Sequence, residues 1–159
     1  MGRVETLGRS ELLTGLDQPE LALLHDIARQ RLVPGGETIF ELGAPATELM
    51  LVVSGTASLI MPLTIRGMPR RLRLEEKGPN AVMAWSALVP PYRYTLGATA
   101  ETDLVLECME RGALSALFRE HPRIHLVVTS NLCMVISSRL SVLQALLMRD
   151  LQRWVETQG

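Results

Sequence analysis

The spacing of apolar residues changes twice along this chain. Asp17-Gln18-Pro19-Glu20 reads as a capping-box start with proline in the first turn, and Leu21, Leu24, Ile27 and Ala28 follow at helical spacing. The pattern predicts a helix over about Asp17 to Gln30. Just before it, Ser10 to Leu16 (SELLTGL) reads as one or two helical turns closed by Gly15. From Leu32 the texture becomes short β-prone runs, ETIFEL, ELMLVVSG, ASLIMPL, RRLRLEE and DLVLECM, separated by glycine and proline. Gly35, Gly36, Gly43, Gly55 and Gly67 punctuate these runs, as tight corners require. Many short strands with regular turns predict an antiparallel jelly roll or barrel.

After Met109 the helical period returns. RGALSALFREH reads as one helix, and Ile124 to about Trp154 as a longer one. In the long tract Val128, Leu132, Ile136, Leu140, Leu143, Leu147, Leu151 and Trp154 form an apolar stripe that continues past what a β-roll can cover. Either the stripe packs on a second copy of the chain or it folds back on its own roll. The first reading, a homodimer through Leu132, Ile136, Leu140, Leu143 and Leu147, is the expectation.

The predicted fold is therefore mainly β with flanking helices. It is a double-stranded β-helix (jelly roll), with N-terminal helices over 8–30, a β-roll over 31–109 and C-terminal helices from 111. Residues 1–148 form one domain, and 149–159 are the end of the last helix and a tail.

Composition narrows the function classes. At 159 residues, 47% hydrophobic and 21% charged, the chain suits one globular domain with a full core. A formal charge of −1 supplies no overall field for nucleic acid or an anionic membrane. Cys108 and Cys133 sit in the apolar runs LVLECM and NLCMVI and are read as buried thiols. Two cysteines cannot form a four-cysteine iron–sulfur or zinc site within one chain. MGRVETLGRS has no apolar core of a signal peptide, and no stretch offers about 18 uninterrupted apolar residues, so a cytoplasmic protein without membrane spans is expected. Gly2 and Thr6 fit the myristoylation pattern M-G-x-x-x-[ST], which is short enough to arise by chance.

The segment VMAWSALVPPYRYTLGATA, Val82 to Ala100, concentrates tryptophan, tyrosine, proline and small residues in a chain otherwise poor in aromatics. Together with LLTGLDQPELALLHDIARQRLVPGGETIFELGAPATELMLVVSGTASL, KGPNAVMAWSAL and DLVLECM, it resembles the cyclic-nucleotide-binding domain family, over about Ser10 to Leu147. The order and spacing of these pieces carry the resemblance, with Gly36, Gly43 and Gly55 at the family's turn positions. The resemblance implies a regulatory β-roll with a phosphate-binding cassette. In the family that cassette has a Phe-Gly-Glu-like start, a short turn of small and apolar residues, and then Pro-Arg-Ser/Thr-Ala. Glycine lets backbone N–H groups reach the cyclic phosphate, glutamate accepts from the ribose hydroxyl, and arginine pairs with the phosphate.

This sequence departs from the cassette at each of those points. Gly78-Pro79 sets the register, which puts Met83, Ala84 and Trp85 on Phe, Gly and Glu, with Ser86, Ala87 and Leu88 as the turn. On the far side, alignment backward from Thr102-Asp103 puts Tyr94 at the arginine position, and alignment forward from Ala87-Leu88 puts Arg93 there. Thr95 completes the candidate pocket. Trp85 has two readings: it fills the vacated pocket, which is preferred, or it is a stacking floor for a different, unidentified small ligand. Tyr92 and Tyr94 are read as packing residues. Binding of cyclic AMP or cyclic GMP is expected to be weak or lost.

The main alternative is a cupin-like metal-dependent enzyme, which needs several histidines and a carboxylate on neighbouring strands. His25, His121 and His125 are the only histidines, and all fall on predicted helices or their ends. Pro122 separates His121 from His125 and suits a helix start, so the pair is read as solvated. Ser86 has no histidine near it in sequence, and no Gly-x-Ser-x-Gly elbow, Walker loop or Cys–His dyad is present. The expectation is a non-catalytic sensor or interaction domain that calls for no cofactor and no metal. The basic run Ile65 to Gly78 reads as a hairpin whose arginines are answered by Glu75 and Glu76. The chain ends at Gly159, without the DNA-reading helix-turn-helix of the family's transcription factors, so nucleic acid is not an expected partner.

Overall fold

A computed structural model describes residues 7–158; the myristoylation pattern at Gly2 and Thr6 lies outside the described residues. The elements in chain order are α1 (Gln18–Ile27), β1 (Ala28–Val33), β2 (Thr38–Phe40), β3 (Glu48–Ser54), β4 (Ala57–Ile65), β5 (Met68–Lys77) and β6 (Val82–Met83). A 3₁₀ turn (Trp85–Leu88), β7 (Gly97–Ala100), β8 (Leu104–Glu110), α2 (Arg111–Glu120) and α3 (Pro122–Gln158) follow. The strands form two antiparallel four-stranded sheets, ordered β1-β8-β3-β6 and β2-β7-β4-β5. This is the expected β-roll with flanking helices and a long C-terminal helix.

The sequence explains which faces are buried. In β3, Met50 and Val52 point into the roll with Ile39, Leu59 and Leu106. Leu49 and Leu51 point the other way, onto Leu21, Leu24, Leu114 and Val128 of the helices. A strand with sheet on one side and helices on the other has no solvent face, so ELMLVV reads as a continuous apolar run. The capping box at Asp17 and Glu20 forms as predicted, each side chain accepting from the other's backbone N–H.

Helix α1 ends earlier than predicted. Ala28, Arg29 and Gln30 are in β1, paired with Met109, Cys108 and Glu107. Arg-Gln-Arg has no apolar alternation to announce a strand, and the backbone bonds offered by β8 decide its conformation. Two further strands, Val82–Met83 and Gly97–Ala100, are likewise made by their neighbours rather than by their own composition.

Gly55 shows why one corner admits no side chain. Its φ is +84°, and an added Cβ would lie 2.2 Å from the Asp103 carbonyl oxygen. The β3–β4 corner therefore presses directly on the start of β8.

The cysteine expectation holds only for Cys108, which is buried, whereas Cys133 is exposed. Its apolar run lies on α3, where successive residues turn by about 100°; Leu132 meets the core and its neighbour faces outward. The hairpin arginines also find partners other than those expected. Arg73 pairs with Glu101 at 2.7 Å and Arg71 lies 3.9 Å from Glu41. Glu75 is taken by Lys77 and by Arg139 of α3.

Candidate functional site

β6 enters the cassette region by pairing Val82 and Met83 with Leu51 and Met50. Met83 and Ala84 then face the roll interior. Ala84 adopts φ 61° and ψ 27°, the left-handed conformation. The backbone thus keeps a glycine-type turn without its glycine, a strain of about 1–2 kcal/mol for an L-residue. The 3₁₀ turn follows, with Ser86 and Ala87 buried and Leu88 packed towards the helices.

The returning segment settles the question left by the two alignments. Tyr94 N–H donates to the Ala44 carbonyl, Gly43 N–H to the Tyr94 carbonyl and Ala46 N–H to the Tyr92 carbonyl. An extended segment paired in this way sends neighbouring side chains to opposite faces, so one of Arg93 and Tyr94 points in and the other out. Tyr94 points in, with 6% of its surface exposed. Its ring stacks on Phe40, with centroids 4.0 Å apart and 20° between planes. Burial raises the Tyr94 phenol pKa. Arg93 lies outside, where Nη1 donates to the Gly43 carbonyl at 2.8 Å. The peptide bond between Pro90 and Pro91 is cis.

What remains of the interior space is a cavity of about 40 Å³, lined by Phe40, Leu59, Ala84, Trp85, Tyr94 and Arg139, with Ser86 and the exposed Thr95 at its edge. Small-molecule sites run to about 300–1,000 Å³, so this space suits a water molecule rather than a nucleotide. Trp85 is half-buried, borders the cavity and packs against the helical cluster. Trp85, expected to fill the pocket, is one wall of this space together with Tyr94 and Phe40. The guanidinium at the mouth belongs to Arg139 of α3, 3.5 Å from the Glu75 carboxylate. Phe40, Leu59, Leu96 and Arg139 also line the cavity and were not among the candidate residues; Phe40, Leu59 and Arg139 lie far from the cassette in sequence.

The stripe on α3 divides in two. Leu132 is buried and Ile136 half-buried against the helical cluster. Leu140, Leu143 and Leu147 are 54%, 62% and 60% exposed. By length and composition alone α3 could also cross a membrane, with mean hydropathy 1.6 over its most apolar window.

The histidines lie on helices or at their ends. His25 is on α1, His121 caps α2, and His125 on α3 stacks on Phe118 at 4.8 Å. Among the described residues no three His, Cys, Asp or Glu side chains gather as a metal site.

Comparison with known proteins gives the same architecture. The profile of the cyclic nucleotide-binding domain matches residues 30–121, more than half of the chain. Among solved structures, the catabolite activator protein of Thermus thermophilus is 29% identical, with a TM-score of 0.73 over 87% of this chain and 62% of that one. The N-terminal domain of a transcriptional regulator from Streptomyces coelicolor shares the fold at 23% identity, with a TM-score of 0.73 over 84% and 93% of the two chains. A cyclic nucleotide-binding domain from Methylobacillus flagellatus shares it at 17% identity, with a TM-score of 0.74 over 87% and 76%. No curated protein matches the chain significantly in sequence. The chain belongs to the cyclic nucleotide-binding domain family.

Proposed function

We propose that this member of the cyclic nucleotide-binding domain family is a non-catalytic regulatory module with its cassette closed from within, joined to a second copy by α3. Cyclic AMP and cyclic GMP are held weakly or not at all. The observation that carries this reading is the stack of Tyr94 on Phe40 beside an interior cavity of only about 40 Å³. A phosphate placed there would meet the Tyr94 phenol, and the guanidinium that lines the cavity, that of Arg139, is already engaged 3.5 Å from the Glu75 carboxylate. The phosphate would forgo a charge-assisted hydrogen bond of about 1.5–3 kcal/mol. Trp85 offers the ribose no carboxylate, and opening the cavity would separate two packed aromatic rings.

The dimer rests on α3. Leu140, Leu143 and Leu147 recur at three and four residues on the half of the helix that leaves the roll, the spacing of a helix–helix seam. On this reading a second helix, not lipid, covers the apolar face. The free thiols Cys108 and Cys133 suit a reducing, cytoplasmic setting.

Titration calorimetry with cyclic AMP and cyclic GMP tests the closed cassette. The expected dissociation constants are no tighter than about 100 μM, or roughly −5.5 kcal/mol. A value near 1 μM would show that Tyr94 and Phe40 yield to the nucleotide.

A further inference from the structure

We propose that the groove between the 3₁₀ turn and the α2–α3 helix pair binds a small carboxylate with an apolar body. This goes beyond the closed cassette, because the groove lies on the other side of the 3₁₀ turn and is independent of Tyr94. Its volume is about 780 Å³, within the usual range of small-molecule sites and far larger than the space left inside the roll.

Three elements build it. From α2, Arg111, Ser115, Phe118 and Arg119 face the groove, at the i, i+4, i+7 and i+8 spacing of a single helix face. From α3 come His125, Leu132 and Ile136, and the third wall is Leu88, Val89 and Tyr92. Phe118 and His125 stack across the two helices and make a flat floor. The middle of the groove is thus apolar, and an alkyl or aryl body gains by leaving water there.

The charged groups select the sign of the ligand. Arg111 and Arg119 both line the groove, and among the described residues no carboxylate does. In a chain of net charge −1 this is a local excess of positive charge. Arg111 is already engaged, with its guanidinium 4.4 Å over the Tyr92 ring and a long bond to the Ala46 carbonyl. Arg119, two turns along the helix, has no carboxylate partner among the described residues. It is the group that meets the ligand's headgroup, while the apolar body lies along Phe118, Leu132 and Leu88. A guanidinium fork matches a carboxylate in two-point geometry.

Cys133 also lines the groove and is exposed, whereas Cys108 is buried with its thiol pKa pushed up to about 11. A thiol reagent therefore reports on the groove and not on the core.

The test uses decanoate as probe, with 1-decanol as the uncharged control and butyrate as the control without an apolar body. Calorimetry measures affinity, and the rate of Cys133 alkylation by a maleimide locates the site. Decanoate should bind at least tenfold more tightly than either control and slow Cys133 alkylation. Arg119→Glu, an exposed change that leaves the fold intact, should weaken decanoate at least tenfold, and Arg119→Lys should retain part of the affinity. Equal binding of decanoate and decanol, unchanged affinity in Arg119→Glu, or no binding of decanoate would each overturn the proposal.

Discussion

Tyr94 lies flat against Phe40 across the interior of the roll, 4.0 Å between ring centroids. The pair joins β2 to the loop before β7 and borders the small interior cavity. With Met83, Leu59 and Leu106 it forms one continuous apolar cluster, so the stability of the roll depends on this contact.

Truncating Tyr94 should therefore be costly. Tyr94→Ala is expected to destabilise the protein by about 3–5 kcal/mol, the range for a buried large aromatic. Tyr94→Phe keeps the stack, removes only the hydroxyl that bonds to the Thr47 backbone, and should cost about 0.5–1.5 kcal/mol. Urea unfolding of the two variants checks this, and equal losses would mean that the ring contact contributes little.

Ala84 should prefer to be glycine. Its left-handed backbone carries about 1–2 kcal/mol of strain, partly offset by the freedom that glycine adds to the unfolded chain, about 0.4–1 kcal/mol. Ala84→Gly is expected to leave stability unchanged or raise it by up to about 1.6 kcal/mol. A clear fall in the thermal midpoint would show that the Cβ packing of Ala84 outweighs its strain.

The dimer reading makes a simple demand on mass. Leu143→Asp combined with Leu147→Asp alters two exposed positions and should leave the fold intact while producing a monomer by light scattering. An unchanged mass, or a wild-type protein that is itself monomeric in detergent-free buffer, would remove the helix seam.

Alkaline pH should weaken the fold through Cys108. Burial holds its thiol neutral up to about 11, against 9.0 for an unperturbed thiol. The neutral form is favoured in the folded state, so this stability is fully present below pH 9 and is lost as pH rises from 9 to 11. The loss amounts to at most ~3 kcal/mol. Cys108→Ala should lower stability at neutral pH and flatten the fall between pH 9 and 11, as read from urea midpoints. A fall equally steep in the variant would assign it to other groups, with Tyr94, whose phenol pKa is also raised by burial, the first to examine.

The order of helix, roll and helix and the corner glycines are legible in the chain alone, as are Ala84 and Trp85 at the positions aligned with the family's glycine and glutamate. These features are local: a helical period, a capping box at Asp17 and Glu20, or a left-handed corner at Gly55 is written in a few adjacent residues. Tertiary structure decided what depends on distant partners. Ala28 to Gln30 became strand because β8 offered them hydrogen bonds. Tyr94 turned inward and Arg93 outward because the chain around Gly43 to Ala46 set the register. Phe40 completed the stack, Arg139 reached the cavity mouth from α3, and Cys133 faced solvent because its apolar run winds around a helix with only one covered side. Periodicity reveals which face an element can bury, but only the pairing of elements determines what that face meets.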